Sequence, residues 1–159
     1  MTYKVAKLNG SEPVFAASTF FKMDSIVKKA RQMLELGFQK SGINLTADQW
    51  VLIERLKNAG VISQHHLACE SFKDAGTTTR ILDLLCKKGY TQRQPSTTDR
   101  RSLDVSLTDT GIEIFEKAKQ ESQKVKFKGF GTLCLEDFTT LNNLLKAVYS
   151  QLTTELKEM

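Results

Sequence analysis

The chain has 159 residues, 40% hydrophobic and 26% charged, with a formal net charge of +5. This is the balance of an ordinary globular protein of one domain, with or without an extension. No apolar run approaches the roughly 18 residues of a membrane span, and no charged region followed by an apolar core marks a signal peptide. A cytoplasmic protein without a membrane partner is therefore expected.

The charge is unevenly spread. From Lys73 to Arg101 there are seven Lys/Arg against three Asp/Glu, whereas from Ile112 to Met159 the count is seven against seven. The three cysteines, Cys69, Cys86 and Cys134, are odd in number and far apart, which argues against a disulfide framework. The adjacent histidines, His65 and His66, are the only two. On a helix they point about 100° apart, so they are expected at the surface and no metal site is expected.

In chain order, residues 1–12 are polar and aperiodic. From about Met23 apolar residues recur at three- and four-residue steps: Met23, Ile26, Val27, Ala30, Met33, Leu34 and Phe38. Ser41-Gly42 ends this helix. Thr46 and Gln49 have the spacing of a capping box, opening a helix with Trp50, Ile53 and Leu56 that Gly60 closes. Val61-Ile62 suits a very short strand. Ser63 then caps a brief helix through Leu67, Ala68 and Phe72.

The next helix runs from about Ala75 to Lys88, ahead of Gly89. Thr78, Ile81, Leu82 and Leu85 form its apolar face, with Gly76, Thr77, Arg80, Asp83 and Lys87 opposite. Two helices joined by a turn, the second presenting small polar groups and an arginine, make a helix-turn-helix. A solvated amphipathic helix shows the same pattern. A polar strand follows, then the connection Pro95 to Arg101, too long for a two-residue turn. The second strand returns with Leu103, Val105 and Leu107 on one face, and Thr108 opens another helix. A helix followed by a hairpin with arginines at its tip can enter a major groove while the arginines reach the backbone or minor groove. Alone, Arg100-Arg101 would equally suit a solvated loop tip.

Helix, Gly89, strand, Asp99-x-Arg101, strand and Leu107-Thr108-x-x-Gly111 together resemble the MarR (multiple-antibiotic-resistance regulator) family. Thr79-Arg80, Leu82, Leu85 and Lys88-Gly89…Arg93 fit its recognition helix and first wing strand. Leu45-Thr46…Gln49-Trp50 fits the start of its second helix. By motif the likeness covers about Ile43 to Phe115.

The resemblance implies a mainly α fold with a small β-wing, a winged helix-turn-helix flanked by N- and C-terminal dimerisation helices. The chain then divides into an extension (1–22), a dimerisation helix (23–45), the winged core (46–108) and C-terminal dimerisation helices (109–159). It implies a homodimer on a pseudo-palindromic duplex operator, usually as a repressor. Release follows binding of a small aromatic or lipophilic effector, or oxidation of a cysteine. Peroxide-sensing members carry that cysteine in the N-terminal helices, where this chain has none before Cys69. The candidates left for oxidation are Cys69, Cys86 and Cys134: Cys86 is expected to be buried, and Cys134, just before the last helix, ranks first.

The residues expected to meet DNA are Ser63, Thr77, Thr79 and Arg80 on the helix-turn-helix, and Asp99, Arg100 and Arg101 on the wing. The resemblance places an effector pocket among Met33, Gly37, Trp50 and Phe115, residues that would otherwise be plain core. The last helix carries Phe138, Leu141, Leu145, Val148, Leu152 and Leu156 at steps close to a heptad seam. Either a partner subunit or the first helix must bury it, and two-fold symmetry matching two half-sites favours a dimer.

Two other classes compete. An enzyme lacks support: there is no nucleotide loop, metal-ligand motif or Ser/His/Asp arrangement, and no cofactor is implied. A winged helix serving only protein interaction would be favoured by loss of basic wing residues, but Arg100 and Arg101 are present.

Overall fold

The computed structural model describes residues 14–96 and 102–158. The order of elements is α1 (Val14–Lys40), α2 (Ala47–Ala59), β1 (Val61–Ser63), α3 (Gln64–Glu70), α4 (Ala75–Lys87), β2 (Thr91–Pro95), β3 (Leu103–Leu107), α5 (Asp109–Phe130) and α6 (Leu135–Glu158). The expected class holds: a mainly helical chain with one small antiparallel sheet. It forms two compact units, one through Glu121 and the other from Ser122.

In the first unit the sheet order is β1-β3-β2, both pairings antiparallel, with Ile62 opposite Val105 and Arg93 opposite Val105 on the other side. Leu52, Ile53 and Leu56 of α2, Leu67 of α3, Leu82 and Leu85 of α4, and Val105 of β3 are fully buried. One core thus joins the helix-turn-helix to the hairpin. Of the three apolar residues of β3 only Val105 is fully enclosed. Leu103, the first residue of β3, is exposed.

The sequence signals for the ends of α2 are realised. Thr46 Oγ1 accepts from the Gln49 N–H at 3.2 Å and Gln49 Oε1 accepts from the Thr46 N–H at 3.3 Å. The Gly60 N–H closes the helix on Leu56 O. At the end of α4, Gly89 takes φ +72° while its N–H bonds Cys86 O and the Tyr90 N–H bonds Leu85 O. These are the paired bonds of a Schellman motif, in which glycine adopts the left-handed conformation without a Cβ clash. β2 therefore starts directly after α4.

The Leu107-Thr108-x-x-Gly111 motif has a steric meaning. The Thr108 N–H donates to Tyr90 O, its hydroxyl donates to Gly89 O at 2.6 Å, and its oxygen accepts from the Gly111 N–H. Thr108 thereby caps α5 and ties it to the end of α4. A Cβ on Gly111 would lie 2.0 Å from Tyr90 O.

Two boundaries differ from the sequence reading. The first helix starts at Val14, not near Met23, so residues 14–22 of the expected extension are helical. The apolar repeat that signalled the helix begins later than the helix itself. The helix capped by Ser63 ends at Glu70, and Phe72 lies beyond it with φ +52° and 73% exposure. A left-handed backbone costs a non-glycine residue about 1–2 kcal/mol. Phe72→Gly should therefore raise stability by about 1 kcal/mol, read as the midpoint of urea unfolding. A lower midpoint would mean that contacts of the ring outweigh the strain.

In the second unit the Phe130 and Phe138 rings meet edge to face at 5.7 Å. Phe130, Phe138, Leu141 and Leu145, with Lys126 and Asn142, line an open cleft of about 390 Å³. Of the α6 seam, Phe138, Leu145, Val148, Leu152 and Leu156 are exposed and Leu141 is half-buried. Ile26, Val27 and Met33 of α1 are likewise exposed, while Leu34 and Phe38 are buried.

Candidate nucleic-acid interface

The helix-turn-helix consists of α3, the turn from Ser71 to Asp74, and α4. Asp74 begins α4 by accepting the Thr77 N–H on Oδ1 at 2.7 Å and the Thr77 hydroxyl on Oδ2 at 2.6 Å. The Thr77 hydroxyl bond is the largest cause holding the Asp74 carboxyl below its usual pKa, followed by the Thr77 backbone. Gly76 lies in the same first turn, where a Cβ would come within 3.3 Å of Asp74 Oδ1.

Three ties fix α4. Gln64 Nε2 of α3 donates to Thr79 Oγ1 at 2.8 Å, and that hydroxyl donates to Ala75 O. Arg93 of β2 spans Thr79 O through Nη2 at 3.2 Å and Asp83 Oδ1 through Nη1 at 2.5 Å. At the far end, the Lys88 ammonium donates to Asn44 O, Asn44 Oδ1 and Gln49 Oε1 at 2.7, 3.1 and 2.9 Å. All three acceptors are neutral, and burial pushes its pKa down.

These bonds define what each predicted residue can still offer. Ser63 caps α3 by accepting the His66 N–H, leaving its hydroxyl proton for another acceptor. Thr77 has donated its proton to Asp74 and can only accept. Thr79 uses its hydroxyl as donor and acceptor within the protein, so its role in this arrangement is to join α3 and α4. Arg80 is exposed and has no hydrogen bond or ion pair among the described residues, so its guanidinium donors are unused. Asp99, Arg100 and Arg101 lie outside the described residues.

The predicted pocket residues are only partly brought together. Trp50 and Phe115 stack at 5.5 Å with 13° between their planes, and Phe38 meets Trp50 edge-on at 6.2 Å. The Lys57 and Lys119 ammoniums each lie 5.7 Å from the Phe115 ring centre. Gly37 faces Glu121 instead, whose Oε2 would be 3.1 Å from a Cβ there, and Met33 is exposed.

Of the cysteines, Cys69 and Cys134 are exposed. Cys69 Sγ lies 4.0 Å from His65 Nε2, and Cys134 Sγ accepts the Asp137 N–H at the start of α6. Cys86 is half-buried, with Sγ 3.2 Å from Thr91 Oγ1.

Sequence reasoning missed Asp74 and Gln64 altogether, and it read Asp83 and Arg93 as a polar-face and a wing-strand residue without seeing them as partners. The spacing Asp74-x-x-Thr77 is a cap signal of the kind recognised at Thr46. The other three act across long sequence separations, without a local signature.

The profile of the MarR family matches residues 45–103. The HTH-type transcriptional regulator SarZ of Staphylococcus haemolyticus is 36% identical over 107 residues, 67% of this chain and 71% of that protein. The chain belongs to the MarR family. The multiple antibiotic resistance protein MarR of Salmonella typhimurium is 32% identical over 109 residues, 68% of this chain and 76% of that protein. The crystal structure of a cysteine-to-serine mutant of MarR from E. coli complexed with operator DNA is similar at a TM-score of 0.76 and 26% identity. That similarity covers 86% of this chain and 99% of the other.

Proposed function

We propose that this protein is a DNA-binding transcriptional regulator that acts as a homodimer on a pseudo-palindromic operator. Helix α4 enters the major groove, and the wing between β2 and β3 meets the backbone or minor groove. The observation that carries the reading is Arg80: an exposed, uncommitted guanidinium on a helix braced by α3, β2 and the α2 N-terminus. A base-reading side chain needs such a rigid platform. The E. coli relative bound to operator DNA supports the same reading.

The dimer is supported by the exposed apolar stripes of α1 and α6. Each helix thus leaves apolar side chains to be buried by a partner. Two recognition helices one DNA turn apart then match two half-sites. Repression is the role proposed, with release by a small aromatic acid. That class fits the stacked Trp50–Phe115 pair beside the Lys57 and Lys119 ammoniums. An effector can shift DNA affinity only by its differential affinity for two dimer geometries.

Selection of bound duplexes from a random pool tests this reading. A two-fold symmetric consensus is expected, with affinity falling steeply as salt rises. Arg101→Ala on the wing should weaken binding to every duplex and reduce the salt slope by about one unit. Failure to enrich any duplex would leave a protein-interaction module as the function.

A further inference from the structure

Three elements of the first unit meet at one carboxylate oxygen. Asp48 Oδ1, in the first turn of α2, accepts from Arg31 Nη1 of α1 at 3.0 Å and from Lys73 Nζ at 2.6 Å. Lys73 lies in the turn between α3 and α4, one residue before the Asp74 cap. Its side chain is 12% exposed, against 46% for Arg31 and 42% for Asp48. The ammonium is thus held inward rather than sweeping through solvent. The bond from Lys73 is the largest cause lowering the Asp48 pKa. Its stabilising contribution is therefore full above the ordinary value of 3.8 and lost as pH falls through the folded-state value.

The turn leaves little slack between Lys73 and α4. The Lys73 N–H bonds Ala68 O at 3.1 Å, and Asp74 accepts both donors of Thr77. A displacement of Lys73 therefore moves the start of the recognition helix. On the other side, Arg31 lies on the helix that carries exposed Ile26, Val27 and Met33. Glu35 of the same helix accepts the Ala47 N–H at 3.0 Å, a second tie between α1 and the start of α2.

We propose that Asp48 is a positioning residue that couples α1 to the entry of the recognition helix, so that its carboxylate sets the half-site spacing the dimer accepts. This rests on the DNA-binding dimer reading above. The Arg31–Asp48 pair is exposed on both sides and contributes little to stability, so the loss of Arg31 should be felt in geometry more than in folding.

The test uses the full chain, its selected operator, and two duplexes with the half-sites one base pair closer or farther apart. The wild type should prefer the selected spacing by about ten-fold or more, the size of an ordinary coupling between sites. Asp48→Asn and Arg31→Met should each reduce that preference to about three-fold or less, while the salt slope stays unchanged because no phosphate contact is lost. Arg31, half in solvent, can be replaced without threatening the fold, so it carries the test if Asp48→Asn is unstable. A purely structural role would lower affinity for all three duplexes equally and keep the preference, and that result overturns the proposal. A wild type that selects no duplex overturns the DNA-binding reading itself. A wild type with a sharp preference that both variants retain overturns only the role of Asp48.

Discussion

Gly111→Ala should destabilise the protein by about 3 kcal/mol or more, at the upper end of overpacking costs because the obstacle is backbone rather than a yielding side chain. The added methyl would lie 2.0 Å from Tyr90 O and 2.9 Å from Tyr90 C. That carbonyl already accepts the Thr108 N–H, and Gly89 O beside it accepts the Thr108 hydroxyl. Relief requires α5 to lift away from the end of α4, breaking the bonds that hold the hairpin against the recognition helix. For a chain of this length the loss corresponds to a melting point lower by about 6–12 °C. Gly129→Ala is the internal control. Its Cβ meets nothing within 4 Å and it lies in α5, so it should be neutral or stabilise by up to about 1 kcal/mol. Equal effects of the two substitutions would remove the steric account of Gly111.

The local punctuation of the fold was legible in the sequence. Thr46 with Gln49, Gly60, Ser63, Gly89 and Thr108 all stand where helices begin or end, because each makes a cap bond to a residue three or four positions away. The apolar face of α4 was legible for the same reason, as burial of Thr78, Leu82 and Leu85 follows the helical period. What was not legible is how the elements are fastened. Arg93 reaches Asp83 and Thr79, Lys88 reaches Asn44 and Gln49, and Asp48 collects Arg31 and Lys73. Each joins residues 10 to 44 positions apart, and nothing in a polar residue's own neighbourhood announces a distant partner. The start of α1 escaped for a different reason. The apolar repeat that signalled it begins at Met23, and residues 14–22 are helical ahead of it.

Arg80→Ala should cost at least about ten-fold in affinity for the selected operator, about 1.4 kcal/mol, within the range of one good base contact. Affinity for random duplex should fall much less. The expectation follows from what the neighbouring side chains have already committed. Thr79 is spent between Gln64 and Ala75, and Thr77 has given its proton to Asp74, so neither can act as a donor to a base edge. Arg80 alone of the three retains its donors, on a helix held at both ends and from β2. A planar fork on such a platform suits bidentate pairing with guanine O6 and N7. Arg80→Lys keeps the charge but loses the fork, and should recover affinity for random duplex without recovering preference for the operator. If the alanine variant instead loses the same factor on both duplexes, and lysine restores both, Arg80 contacts phosphate only. The sequence preference of this helix would then rest on DNA shape or on Thr77 as an acceptor, and symmetric selection from a random pool should yield a correspondingly weak consensus.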